Sequence, residues 1–122
     1  MKNATAKASE FAVESHFETK DPIVVAIYDG LLKGVKKFGR VIEEPKKTSI
    51  HLVNKTAFAG VATRSSAIIL TIKSDRKNSS RRVHKSEQTS ANRFHHEIKL
   101  TSPADVDSEL LDWLKAAYAL SA

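Results

Sequence analysis

The chain has 122 residues, a formal net charge of +6, and a composition that is 41% hydrophobic and 28% charged. This is the size and composition of a single folded domain, and it excludes a disordered chain. The absence of cysteine excludes disulfides, a thiolate nucleophile and a cysteine-based zinc site.

The termini and apolar runs predict where the protein resides and how it is divided. Residues 1–9 are small and polar and are predicted to be flexible, whereas residues 10–122 are predicted to form one α+β domain. The longest apolar run, Ala67 to Leu70, is too short to span a bilayer, and the N-terminus lacks the apolar stretch of a secretory signal. We therefore expect a cytoplasmic protein that does not associate with membranes.

The first helix is predicted from Asp21-Pro22, an N-cap followed by a first-turn proline, to a C-terminal glycine at Gly39. Apolar residues recur between these points with the spacing of one helical face. Gly30 and Gly34 lie four residues apart in this helix, and we interpret the spacing as close approach of the helix to a sheet.

Between Arg40 and Thr101 the hydrophobic period changes from helical to alternating, which predicts an antiparallel meander of four to five strands. The predicted strands are residues 40–44, 47–54, 56–63, 66–73 and 94–101. Residues 74–92 show no alternation and are predicted to form a long basic loop.

The last helix is predicted to begin at Ser102-Pro103-Ala104-Asp105, which has the pattern of a capping box. An apolar stripe from Val106 to Tyr118 follows. The predicted fold is an α+β sandwich in which both helices cover one face of the sheet and leave the other face at least partly open.

Charge is concentrated in the strand region. Residues 33–99 contain sixteen Lys or Arg against five Asp or Glu, while the flanking segments are net acidic. Such a concentration indicates an anionic partner, although lysines also protect sheet edges from aggregation. The anion-binding candidates are Lys46, Lys47, His51, Arg81, Arg82, Lys85, Ser90, Asn92, Arg93, His95 and His96. We expect them to meet where the basic loop crosses the start of the strand that contains His51.

The histidines suggest a second chemistry. His95 and His96 are adjacent on a strand, so they point to opposite faces and cannot chelate one ion together. His96 shares the parity of Ile98 and is expected to be a buried, hydrogen-bonded residue. If their strands are neighbours, His51, His95 and Glu97 form a weak candidate metal site; no other metal and no cofactor is predicted.

Three distinctive segments occur in the chain: EEPKKTSIHLV, KSEQTSANRFHHEIKLTS and DVDSELLDWLKAAYAL. They resemble a bacterial family of domains of unknown function, family 5655, whose members are small standalone or fused domains. The resemblance extends over about residues 10–121. It implies a small α+β domain without an assigned activity. It also marks as family motifs Lys46, Lys47, Thr48 and His51, and Lys85, Ser90, Asn92, Arg93, His95 and His96.

Three functions remain open from the sequence. The first is a non-enzymatic module that binds nucleic acid or another phosphate-bearing ligand through its basic loop and sheet face. The second is a small enzyme or ligand sensor with a pocket of Lys47, His51, Lys85, Arg93 and His95 or His96. The third is a homodimeric interaction protein. No hydrolase or nucleotide-binding motif is present, so we expect a binding protein rather than an enzyme.

Overall fold

The computed structural model describes residues 11–122, so the expectation for residues 1–9 lies outside the described residues. A 3-10 turn, Glu14–Phe17, precedes helix α1, Pro22–Val35, and a second 3-10 turn, Lys36–Phe38, ends it. The six strands are β1 (Ile42–Pro45), β2 (Ile50–Val53), β3 (Ala57–Thr63), β4 (Ile68–Ser74), β5 (Val83–Ser90) and β6 (Arg93–Leu100). A 3-10 turn, Pro103–Asp105, leads to helix α2, Ser108–Leu120.

Helix α1 begins where its sequence predicts, but it ends at Val35, and Gly39 ends the 3-10 turn that follows it. The Asp21 carboxylate accepts a hydrogen bond from the Ile23 amide at 3.0 Å, and Gly39 leaves the helical region with φ of 146°. The reason for the glycine pair differs from the expectation. A Cβ atom at Gly34 would lie 2.6 Å from Leu111 Cδ2 of α2, whereas one at Gly30 would meet nothing within 4 Å. Gly34 therefore permits close approach of the two helices to each other, not of a helix to the sheet.

The sheet has six antiparallel strands in the order β1-β2-β3-β4-β6-β5. The prediction of four to five strands was one too few, since residues 83–90 form a strand rather than part of a loop. Seven of the eight β5 residues are exposed, so an edge strand with both sides in water has no hydrophobic alternation. The meander also ends at β4. The next strand along the sheet is β6, which pairs with β4, and β5 pairs with β6 at the edge. The long basic loop is therefore confined to residues 75–82.

The core lies between the two helices and one face of the sheet. Helix α1 contributes Val24, Ile27 and Leu31, all completely buried, and α2 contributes Leu110 and Leu114. The sheet residues in the same cluster include Ile50, Leu52, Val61, Leu70, Ile98 and Leu100. Both helices thus cover one face, as the sequence predicts.

The capping box at Ser102 is present, but it begins a single 3-10 turn and not the last helix. Helix α2 starts one turn later, where Asp107 Oδ1 accepts from the Leu110 amide at 3.0 Å. Within residues 11–122, no helix is long and apolar enough to cross a membrane.

Candidate functional site

The sheet face opposite the helices is built by strand alternation in β6. Phe94, His96, Ile98 and Leu100 are buried on the helix side. The residues between them, Arg93, His95, Glu97 and Lys99, therefore point to the open face. This is the arrangement expected for His95 and His96.

Neighbouring strands add further cations to this face. The register places Lys73 of β4 and Glu87 of β5 beside His95, and it places Lys85 of β5 beside Glu97. We define the basic face by its five members. They are Lys73, Lys85, Arg93, His95 and Lys99.

The electrostatics of Lys73 show that cations on this face lie close together. Partial burial of its ammonium group, and secondarily the nearby positive charge of Arg93, lower the pKa of Lys73 below its usual value. Lys73 Nζ donates hydrogen bonds to Ser121 Oγ at 2.9 Å and to Thr56 Oγ1 at 3.2 Å. These neutral hydroxyl groups position the ammonium group without neutralising it.

A basic depression lies at the Lys99 end of this face, next to the turn between β3 and β4. Its volume is about 720 Å³, and no acidic residue lines it. The lining consists of Arg64, Ser65, Ser66, Ala67, Ile69, Arg81, Arg82, His84, Lys99 and Thr101. Arg64, Arg81 and Lys99 are exposed, and they bring guanidinium and ammonium donors together with the hydroxyl groups of two serines. This is an arrangement suited to phosphate oxygens.

Four basic residues of this surface were not predicted from the sequence: Arg64, Lys73, His84 and Lys99. Lys99 could have been predicted, because the alternation of β6 places it on the same face as His95 and Glu97. Lys73 shows the same alternation in β4. Arg64 and His84 carry no such signal, since one lies in a turn and the other at an irregularity in the register of β5.

Arg82 was predicted to bind an anionic ligand, but its guanidinium group is already engaged by the protein. Nη1 donates to Asp107 Oδ1 at 2.9 Å and to Glu109 Oε1 at 3.1 Å, and Nη2 donates to the Asp105 carbonyl at 2.6 Å. The guanidinium carbon lies 5.8 Å from the centre of the Trp113 ring. Arg82 therefore fastens the end of the loop to the start of α2.

His96 is also held internally. Its Nε2 lies 3.0 Å from the Arg76 carbonyl oxygen, which can only accept, so this nitrogen carries the proton. Nδ1 then accepts from the Ser86 hydroxyl at 2.8 Å. This confirms the expectation of a buried, hydrogen-bonded histidine and removes His96 from the open face.

The strand order separates the weak metal candidates. His51 lies on β2 and His95 on β6, with β3 and β4 between them, so the assumption that their strands are neighbours was wrong. Both histidines line one shallow depression of about 260 Å³, whose floor includes Gly60 and Ala62. Among residues 11–122, no group of three or more His, Asp or Glu side chains is placed to hold a metal ion.

Lys46 and Lys47 lie beyond β1, at the opposite edge of the sheet from Arg81 and Lys85. Five strand spacings separate β1 from β5, or about 24 Å. The expected meeting of the loop with the β2 strand start is therefore wrong. The same separation prevents Lys47 and Lys85 from sharing one pocket.

Ser90 and Asn92 lie at the turn between β5 and β6, at the Arg93 end of the basic face. Both are exposed, and the Asn92 carbonyl accepts from Arg93 Nη1 at 2.9 Å. The structure thus keeps Lys85, Ser90, Asn92, Arg93 and His95 on one hairpin. It separates these residues from the candidates at β1 and β2, which are Lys46, Lys47 and His51.

The family model described as a domain of unknown function, DUF5655, matches residues 13–121, which is nearly the whole chain. The chain belongs to this family. Searches of curated proteins and of solved structures find no match to the chain. The family is described only as a domain of unknown function, so membership assigns no chemistry to the site.

Proposed function

We propose that this DUF5655 domain is a non-enzymatic module that holds nucleic acid against the open face of its sheet. The observation that supports the proposal is the excess of positive charge on the uncovered side of the sheet, where Glu87 and Glu97 also lie. The basic face and the basic depression lie together on the uncovered side, whereas Asp107 and Glu109 lie at α2 and are engaged by Arg82. A polyanion would therefore meet cations over an extended surface.

The dimensions of the basic face favour a chain of phosphates over a single phosphate group. Arg93 and Lys99 are six residues apart on one strand, which corresponds to about 20 Å. Lys85 lies between them on the neighbouring strand, and Arg64 and Arg81 extend the surface past Lys99. One small anion would contact only one end of this array, whereas a nucleic-acid backbone can contact both.

The face offers few groups for reading bases. Phe58 and Phe94, aromatic residues of the strands, are buried on the helix side and are not available for stacking. Binding would therefore rest on contacts to phosphates, with little sequence preference and with a steep dependence on salt. Lys, Arg, Ser and Thr side chains supply the donors for such contacts.

Fluorescence anisotropy with labelled DNA and RNA oligonucleotides at several salt concentrations tests the proposal. The variant Lys85→Gln/Arg93→Gln/Lys99→Gln removes three charges from the open face. Its matched control, Lys36→Gln/Lys37→Gln/Lys115→Gln, removes three exposed charges from the helix side. The slope of log affinity against log salt is negative, and each lost phosphate contact reduces its magnitude by about 1. We therefore expect the magnitude to fall by about 3 for the first variant and by less than about 1 for the control.

Two results would overturn the proposal. One is equal weakening by the two triple variants, which would show that only net charge matters. The other is an affinity for the wild-type chain no higher than that of an unrelated protein of the same size and charge.

A further inference from the structure

A cleft lies between the loop after β4 and helix α2, on the helix side of the sheet. It has a volume of about 530 Å³, and it shares Lys73 with the basic face and no residue with the basic depression. Helix α2 packs mainly over β3 and β4, whereas the loop contacts β6 through the hydrogen bond between His96 and the Arg76 carbonyl, and the gap lies between the loop and the helix. We call this gap the loop cleft.

The inner surface of the loop cleft is largely apolar. The sheet contributes Ile72 and Ile98, and α2 contributes Trp113, Ala116 and Leu120. Trp113 is half-buried, so one part of its indole ring is open to the cleft. Both the volume and the lining are typical of sites that take a small organic molecule, with an aromatic side chain as a stacking surface.

The mouth of the loop cleft is cationic. Arg76, Lys77, Asn78 and Ser79 line it, and the Arg76 charge is paired with Asp75 at 2.9 Å. Lys77 is exposed, and within residues 11–122 it makes no hydrogen bond and no ion pair. An ammonium group at the mouth of an apolar cleft complements a ligand that has an apolar body and one negative charge.

The loop that forms this mouth is held in place by the protein itself. The Arg76 carbonyl accepts from His96 Nε2 at 3.0 Å and from Ser74 Oγ at 2.9 Å. Ser80 donates its amide to Asn78 Oδ1 at 3.0 Å, and Arg82 fastens the far end. The loop cleft is thus formed before any ligand enters, which lowers the entropic cost of binding.

We propose that the loop cleft binds a small planar aromatic anion, with its ring against Trp113 and its carboxylate or sulfonate near Lys77. The buried apolar wall would hold the ring, and the lysine would orient the charge. This site does not depend on nucleic-acid binding, because Trp113 and Lys77 do not belong to the basic face.

Trp113 is the only tryptophan in the chain, so its fluorescence reports directly on the loop cleft. Titration with the aromatic sulfonate anilinonaphthalenesulfonate should quench Trp113 with saturation at one probe per chain. The probe should also raise the melting temperature, since a ligand that binds the folded state stabilises it. A probe attracted to loosened or unfolded chains would lower it instead.

Two exposed alanines of α2 give a matched pair of variants. Ala116 lines the loop cleft and Ala119 does not. Ala116→Phe fills the space and should weaken probe binding by about tenfold or more, while Ala119→Phe should leave it unchanged. Lys77→Gln, on the loop surface, should weaken binding by about two- to fivefold, the range of a solvent-exposed ion pair.

Absence of saturable quenching, a lowered melting temperature with the probe, or equal effects of Ala116→Phe and Ala119→Phe would each refute the site. If Lys77→Gln kept its full affinity for the probe, the proposed role of Lys77 in binding the negative charge would be refuted. Within residues 11–122, Lys77 makes no hydrogen bond or ion pair that its substitution would remove, so this variant tests the proposal even if Ala116→Phe does not fold.

Discussion

Replacing Arg82 with methionine keeps the aliphatic part of the side chain and removes its guanidinium group. In the structure this group bridges Asp107 and Glu109 and donates to the Asp105 carbonyl. The Arg82 side chain is 24% exposed, while the two carboxylates are 49% and 55% exposed. The variant therefore disconnects the end of the loop from the start of α2 but lets both carboxylates regain water.

The expected loss of stability lies between two limits. Fully exposed ion pairs contribute about 0.2–1 kcal/mol each, and breaking a fully buried pair costs about 3–5 kcal/mol. A well-covered arginine that holds two half-exposed carboxylates and one carbonyl falls between these limits. We expect Arg82→Met to lower the free energy of unfolding by about 2 kcal/mol at pH 7.

The loss of stability in Arg82→Met should become smaller as the pH falls. The hydrogen bond from Arg82, with help from the Leu110 amide, lowers the pKa of Asp107 below its ordinary value. A carboxylate with a lowered pKa stabilises the fold above its unfolded-state pKa of about 3.9, and the stabilisation is lost as the pH falls through the folded-state pKa. The difference between wild type and Arg82→Met should therefore be full above about pH 5 and shrink towards pH 2.

Urea unfolding followed by circular dichroism at several pH values measures this difference. Arg81→Met is the control, because Arg81 is an exposed neighbour without a hydrogen bond or ion pair in the part of the chain that the structure describes. It should change stability by less than about 0.5 kcal/mol. A loss below about 0.5 kcal/mol for Arg82→Met, or a loss that persists unchanged in acid, would contradict the reasoning.

Three further substitutions test the fold around the site by the same unfolding assay. Leu70→Ala should cost about 2–5 kcal/mol, because Leu70 is completely buried in the central strand, and a loss below about 1 kcal/mol would contradict this packing. Gly39→Ala should cost about 1–2 kcal/mol, since φ is 146° and the new Cβ would lie 2.7 Å from Tyr118 Oη; unchanged stability would refute the strain. Tyr28→Phe should cost about 1–2 kcal/mol through the lost hydrogen bond to Glu43 at 2.7 Å. Burial, with the Glu43 hydrogen bond, raises the pKa of Tyr28, so wild-type stability should fall above about pH 10 and this fall should be smaller in the variant.

Local signals in the sequence determined both helices and five of the six strands. Asp21 begins α1 and Gly39 ends the 3-10 turn that follows it, because a cap and a glycine with positive φ act on their immediate neighbours. The alternation of β6 likewise predicted that His95 and His96 lie on opposite faces, because successive side chains of a strand point in opposite directions. These features depend on residues within a few positions of each other.

The tertiary structure alone decided which residues share a surface. Strand order places β3 and β4 between His51 and His95, and it puts Lys47 and Lys85 at opposite edges of the sheet. Strand β5 lacks a local signal because both its faces are exposed. Its pairing with β6 is what brings Lys85 to the basic face.

Arg82 shows most clearly what the local sequence determines and what only the tertiary structure decides. Its charge and its place in a basic segment are visible in the sequence and suggest a ligand. Its partners lie 25 and 27 residues later in the chain, and only the fold brings them within hydrogen-bonding distance. Local sequence determines which groups a residue can offer, whereas the packing of distant segments determines whether the protein itself has already engaged them.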